Sequence, residues 1–260
     1  MGVAAAIFLG LVQGLTEFLP VSSSGHLVLA QALLGIRSEG ILMEVLLHVA
    51  TAFVVLGFYR ERAVDLLRPR FDGERNRYRL AIVIGLLPTA VVGLFLRDRI
   101  EALFERPGPT LAALAFTGVF LLLTRLAPPR ERRITLGIAF LIGIAQAVAI
   151  LPGISRSSAT IACALFLGVR RREGAEFSFL LSVPAILGAA LLTAKDITGE
   201  AASGTALAPA LLGAAVAAVS GYWALRLLVR LVTRGGFHRF GYYCLTLAAV
   251  GAASVFLLSG

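Results

Sequence analysis

The chain is short of charge and of cysteine. Only 15% of its 260 residues are Asp, Glu, Lys or Arg, where soluble domains carry about a quarter. The two cysteines, Cys163 and Cys244, lie in apolar stretches. Their number and setting argue against a disulfide framework or a cysteine metal cluster, and small apolar filler is the expected role. The N-terminus has no basic leader segment, so the first apolar run is expected to belong to the mature protein. What the sequence has is hydrophobicity: 58% of it is apolar and its mean hydropathy is +0.88. That composition implies an all-α polytopic membrane protein. A net charge of +9 is not clustered as a nucleic-acid surface would be. The arginines fall between apolar segments, where orientation in a bilayer explains them, and no nucleic-acid partner is expected.

Six segments are long enough to span a ~30 Å hydrocarbon core: 41–59, 80–97, 109–125, 176–193, 206–230 and 241–259. Two regions break the pattern. Residues 3–19 are apolar, then "PVSSSGH" intervenes, and only a short apolar arm follows, to Leu34. Residues 134–151 and 159–169 repeat the arrangement around "PGISRSS". At 1.5 Å per residue the short second arm after the first break covers about half a bilayer, and each region reads as a re-entrant helical hairpin. With both regions as hairpins, eighteen arginines collect on one side. Arg37, Arg97, Arg99, Arg106 and Lys195 lie on the other, and Arg156 stays inside. The arginine-rich side is then cytoplasmic and both termini face outward. The loop "YRERAVDLLRPRFDGERNRYR" reads as a cytoplasmic amphipathic segment near anionic lipid. Pro88 and Pro184 fall inside spans as expected kinks.

The chain also repeats itself. Leu19-Pro20 matches Leu151-Pro152, Ser23 matches Ser155, and Glu44 matches Glu176, all at an offset of 132. Gln13 and Gln146 match one residue further on. The reading is a single integral membrane domain over 1–260, built of repeats 1–128 and 133–260. Each repeat holds one re-entrant hairpin and three transmembrane helices. Three is odd, so the second copy is inverted, and the two tips are expected to meet near the midplane.

Non-helical backbone at membrane depth survives only when packed in protein or lining a wet cavity. Gln13 and Glu17 share one helix face just before the first tip. A carboxylate in an apolar run is costly, which marks Glu17 as functional unless it pairs with Arg156 merely to lock the repeats together. His26 follows the break, either as a packing histidine or as part of a site. The second tip surrounds Arg156 with Ser155, Ser157, Ser158 and Thr160 at the start of a helix. Guanidinium fork, hydroxyls and free helical N–H groups together suit a phosphate or other oxyanion. Gln13 and Glu17 could hold a divalent cation beside it, which points to phosphoryl chemistry. Glu44 and His48, also four apart, are either part of this chemistry or interfacial anchors.

These stretches resemble a known family. "QGLTEFLPVSSSGH" is similar to the (Glu/Gln)-x-x-x-Glu motif and serine-rich tip of the bacterial undecaprenyl-diphosphatases, also called bacitracin-resistance proteins. "LPGISRSSAT" resembles their Pro-Gly-x-Ser-Arg-Ser-x-x-Thr motif, and "IGLLPTAVVG" and "FSFLLSVPAILGA" look like family segments too. The resemblance runs over nearly the whole chain. It implies a phosphatase of the bacterial cytoplasmic membrane that cleaves a C55 polyprenyl diphosphate to the monophosphate and inorganic phosphate, recycling the lipid carrier of cell-wall synthesis. It implies Glu17, Ser23, His26 and Arg156 as catalytic residues. Ser22, Ser24, Ser155, Ser157 and Thr160 join Arg156 in binding substrate. It also implies a divalent cation, magnesium or calcium, on Glu17 with help from Gln13. The position of Gln13 is Glu or Gln across the motif, so one carboxylate plus an amide oxygen must suffice. The expected partners are the polyprenyl diphosphate and membrane lipid, and a homodimer is compatible with the sequence.

Two rival readings fit the same sequence. A polyprenyl-phosphate flippase could hold the head group on Arg156 without cleaving it, because inverted repeats with broken helices are also a transporter architecture. A purely structural membrane subunit would leave two polar tips without a purpose.

Overall fold

The computed structural model describes residues 2–27, 41–69, 72–96, 107–128, 131–193 and 207–259. Arg37, Arg70, Arg97, Arg99, Arg106, Arg130 and Lys195, and the first hairpin's second arm beyond Leu27, lie outside the described residues. The elements in order are α1 (Val3–Phe18), α2 (Ile41–Phe58), α3 (Arg60–Leu67), α4 (Gly73–Phe95) and α5 (Pro107–Leu123). They continue with α6 (Leu136–Val148), α7 (Arg156–Phe166), α8 (Arg171–Thr193), α9 (Leu207–Thr233) and α10 (Phe240–Ser259). Among the described residues there is no β-strand, only an isolated bridge between Arg132 and Val169.

Among the described residues, four helices are long and apolar enough to cross a membrane: 73–95, 108–126, 171–193 and 207–233. A fifth crossing exists if α2 and α3, bent by 89° at Tyr59, count as one span. The helices α1 and α6 are apolar but shorter, at 16 and 13 residues. Helices α4 and α8 begin several residues before the apolar runs that announce them. Their first turns, "GERNRYR" and "RREGAE", carry charge that reaches past the apolar part of the helix, while the long arginine stems still cover apolar surface. The segment after α2 turns back on itself rather than looping freely. Arg75 pairs with Asp65 at 2.7 Å, and Arg79 donates to the carbonyl oxygens of Leu66 and Arg68. Pro88 and Pro184 sit inside helices that continue through them.

Helices from the two halves are exchanged. The helix α1 packs chiefly on α9, α6 on α4, and α5 on α10. Small residues make these crossings close. A Cβ on Gly10 would strike the backbone of Gly213, and one on Gly143 would strike that of Gly85. Lipid offers no hydrophobic drive for helix association, so van der Waals contact between close backbones carries it. The largest core cluster gathers Phe18 and Val21 from the first half with Ile161, Phe179, Leu225 and Cys244 from the second. Phe18 meets Phe179 edge-on, with centroids 5.8 Å apart. The residue before Phe18 is Glu17, so this packing fixes where the carboxylate lies.

Candidate active site

The face that α1 buries carries Ala6, Leu9, Gly10, Gln13, Gly14 and Glu17, at the spacing of helical turns. Phe8, Leu11 and Leu15 point outward and are substantially exposed. Gln13 and Glu17 therefore point inward because the stripe containing them is the packed one. The helix stops at Leu19, which is extended (ψ 140°) ahead of Pro20, as a residue before proline prefers. Ser22 follows with φ 69°, the one non-glycine left-handed backbone among the described residues. That turn aims the Ser22 carbonyl at His26, whose Nδ1 lies 2.8 Å away. Residues 23–27 then resume a helical conformation.

The second tip is held from α5. Gly153 has φ 91°, and a Cβ there would strike the Thr110 carbonyl. The Thr117 hydroxyl donates to the Gly153 carbonyl at 3.1 Å and accepts from the Ser155 N–H at 3.3 Å. Ser155 caps α7, its hydroxyl accepting from the Ser158 N–H at 3.3 Å and lying 3.2 Å from the Ser157 hydroxyl. Ser158 donates to the Pro20 carbonyl at 3.1 Å and so ties the two tips together. Thr160 points away from the tip surface, donating to the Arg156 carbonyl at 2.8 Å and contacting Ser178 on α8.

Between the tips, Glu17 is the hub. Its Oε1 accepts from Arg156 Nη2 at 2.6 Å. Its Oε2 accepts from the Ser23 hydroxyl at 2.8 Å and from Gln13 Nε2 at 3.0 Å. A buried ionised carboxylate is tolerable only when paired and hydrogen-bonded in this way. Two atoms of the cluster remain unspent: Arg156 Nη1 and Gln13 Oε1 are buried without a hydrogen-bond partner among the described residues. An unsatisfied buried donor and an unsatisfied buried acceptor are costly, and both suit a ligand. Nη1 can donate to an oxyanion, and Oε1 can accept from a donor or bind a cation. Within the first tip, Ser22 Oγ and Ser24 Oγ lie 3.3 Å apart.

The fold thus brings Gln13, Glu17, Ser23 and Arg156 into direct contact. The hydrogen bonds of His26 go elsewhere: to the Ser22 carbonyl and, through Nε2, to the Tyr243 hydroxyl at 2.7 Å. His48 enters the cluster, with Nε2 4.0 Å from Glu17 Oε2 and Nδ1 2.9 Å from the Glu44 carbonyl. Glu44 itself is exposed, so the pair splits between site and surface. Neither Thr117 nor Tyr243 carries any local sign of its role. Cys244 is buried and donates to the Pro20 carbonyl at 3.4 Å, so it holds the first tip as well as filling space.

The family described as "Bacitracin resistance protein BacA" matches residues 6–250. The chain belongs to this family. Curated proteins similar to this BacA-family chain include the undecaprenyl-diphosphatase of Desulfosudis oleivorans (strain DSM 6200 / JCM 39069 / Hxd3). It is 44% identical over 94% of this chain and 95% of its own length. The undecaprenyl-diphosphatase of Bacteroides fragilis (strain YCH46) is 41% identical over 96% of both chains. That of Geobacter sulfurreducens (strain ATCC 51573 / DSM 12127 / PCA) is 40% identical over the full length of both. Both tips lie within the span that matches the BacA family.

Proposed function

We propose that this protein hydrolyses undecaprenyl diphosphate to undecaprenyl phosphate and inorganic phosphate within the bacterial cytoplasmic membrane. The observation that carries the reading is the chain of contacts Ser23–Glu17–Arg156, in which a hydroxyl, its base and a half-free guanidinium touch in sequence. Arg156 uses Nη2 on Glu17 and has Nη1 left for a phosphate oxygen. Ser155, Ser157 and the free N–H groups at the start of α7 extend the anion site, with Ser22 and Ser24 on the facing tip.

In this reading Ser23, or a water in its place, attacks the terminal phosphorus. The hydroxyl proton passes to Glu17 Oε2, to which Ser23 is already bonded. The phosphoanhydride bond to the inner phosphate breaks, and polyprenyl monophosphate leaves with those electrons. If Ser23 is the nucleophile, a water then cleaves the phosphoserine and restores the hydroxyl. Arg156 stabilises the charge that spreads over the transferring oxygens.

Gln13 Oε1 and Glu17 fit a divalent cation, magnesium or calcium, because one is an unpartnered buried oxygen and the other a carboxylate. Among the described residues no three His, Cys, Asp or Glu side chains converge on a metal position. Such a pair suits a cation that keeps water and takes substrate oxygens as further ligands. When bound, the ion would supply charge neutralisation on the diphosphate.

The architecture we infer is an inverted repeat of one re-entrant hairpin and three spans. The exchanged packing of α1 on α9 and α6 on α4 supports it, as does the close glycine approach in each pair, Gly10 on Gly213 and Gly143 on Gly85. The arginine distribution supports outward termini and a cytoplasmic 60–79 loop. The decisive experiment is phosphate release from a polyprenyl diphosphate by purified protein in detergent, where no membrane side exists. Stoichiometric orthophosphate and lipid monophosphate are expected; a protein that releases neither, while still binding the lipid, is not a phosphatase.

A further inference from the structure

Both ring nitrogens of His26 are engaged, so its orientation is tightly set. Two groups grip the imidazole from opposite ends. The Ser22 carbonyl lies 2.8 Å from Nδ1, and a carbonyl oxygen only accepts, so Nδ1 carries the hydrogen. Neutral Nε2 is then the lone-pair nitrogen, and the Tyr243 hydroxyl donates to it at 2.7 Å. The two rings also stack, with centroids 5.8 Å apart and planes 11° from parallel. Tyr243 lies 217 positions away, on α10. Its neighbour Cys244 donates to the Pro20 carbonyl, so consecutive residues of α10 hold both ends of the first tip. The left-handed Ser22 backbone (φ 69°) is the cost of aiming that carbonyl at the ring.

We propose that Tyr243 is a positioning residue of the phosphatase site: its hydroxyl and ring hold the His26 imidazole in place as the Nδ1–H tautomer. The contact survives a change of protonation. When Nε2 takes a proton it becomes a donor, and the phenolic oxygen turns from donor to acceptor without moving. His26 therefore keeps one orientation in both states, which a side chain that exchanges protons during turnover needs. This proposal rests on the phosphatase reading and on a role for His26 in it.

The test is Tyr243→Phe, studied together with His26→Ala and the double variant. Phenylalanine keeps the stacked ring, and Tyr243 is 47% exposed, so the fold is retained. Loss of the hydroxyl should lower kcat on the order of 10-fold with KM nearly unchanged, as expected for misplacement of a reacting group. The double variant should be no slower than His26→Ala alone. Independently of activity, ¹⁵N-histidine spectra of the detergent-solubilised protein should give His26 as the pure Nδ1–H form. The signal is assigned by its loss in His26→Gln, and it should change to mixed tautomers in Tyr243→Phe. A Tyr243→Phe enzyme with unchanged kcat, an unchanged His26 spectrum, or a loss that adds to that of His26→Ala would overturn the proposal. A fully active His26→Ala enzyme would instead sink the role of His26 on which it rests.

Discussion

Glu17 accepts three hydrogen bonds at 3.0 Å or less, and each of the three donors has a separate test. Gln13 presents a neutral amide beside Glu17, so Gln13→Glu should lower the concentration of divalent cation needed for half-maximal activity. Glu17→Gln should lose activity and weaken the cation dependence together. An unchanged metal titration in Gln13→Glu would restrict Glu17 to the role of base. Ser23→Ala removes the hydroxyl bonded to Glu17. If Ser23 forms a phosphoserine, turnover should fall to a water-driven residue. Activity above roughly a tenth of wild type would mean that Glu17 activates water directly. The sequence makes this part of the site legible because short spacings place Gln13, Glu17 and Ser23 together, and because Arg156 stands alone among serines at a break between apolar stretches. His48 is visible only as a neighbour of Glu44, and its approach to Glu17 depends on how α2 docks on α1. Tyr243 leaves no local trace at all.

The tips depend on the helices behind them. Thr117 is fully buried on α5 and satisfies both the Gly153 carbonyl and the Ser155 N–H. Thr117→Val keeps the shape but strands both groups, at a cost of about 1–3 kcal/mol for each buried group left unsatisfied. The midpoint of thermal unfolding in detergent should fall, and Thr117→Ser should restore it; equal midpoints for Val and Ser would mean that Thr117 does not hold the tip. The crossing of α6 and α4 makes a sharper contrast. Gly143→Leu drives a side chain into the Gly85 backbone and should abolish the folded monodisperse protein in size-exclusion chromatography. Gly137→Ala, on the same helix with nothing within 4 Å, should be silent. All six apolar runs read from the sequence coincide with helices, since period and hydropathy are local properties. The 89° turn at Tyr59 and the early starts of α4 and α8 are less legible. They depend on arginine contacts between segments, such as Arg62 with Glu176 at 3.2 Å, rather than on hydropathy.

Across the whole molecule, the two halves are interleaved so that neither tip is complete alone. Glu17 comes from one half and Arg156 from the other, 139 positions apart. The proposed inverted arrangement predicts that a reporter fused after Gly260 lies outside the cytoplasm, with one inserted in the 60–79 loop inside; a cytoplasmic C-terminus would contradict the inverted repeat. The proposed repeat rests on matched landmarks such as Leu19-Pro20 with Leu151-Pro152. Which helices exchange partners is not legible in the sequence, because packing of α1 on α9 is a long-range choice made by small residues on both faces. The central claim is that the fold joins these halves to put a half-free guanidinium on a phosphate. The most direct measurement is kcat/KM for a polyprenyl diphosphate in Arg156→Lys, which keeps the charge beside Glu17 but loses the fork. We predict a fall on the order of 10²-fold or more with thermal stability little changed, because stabilisation of the transferring phosphoryl group is lost. A value within about threefold of wild type, less than ~1 kcal/mol of transition-state free energy, would make Arg156 a structural partner of Glu17 and contradict the account.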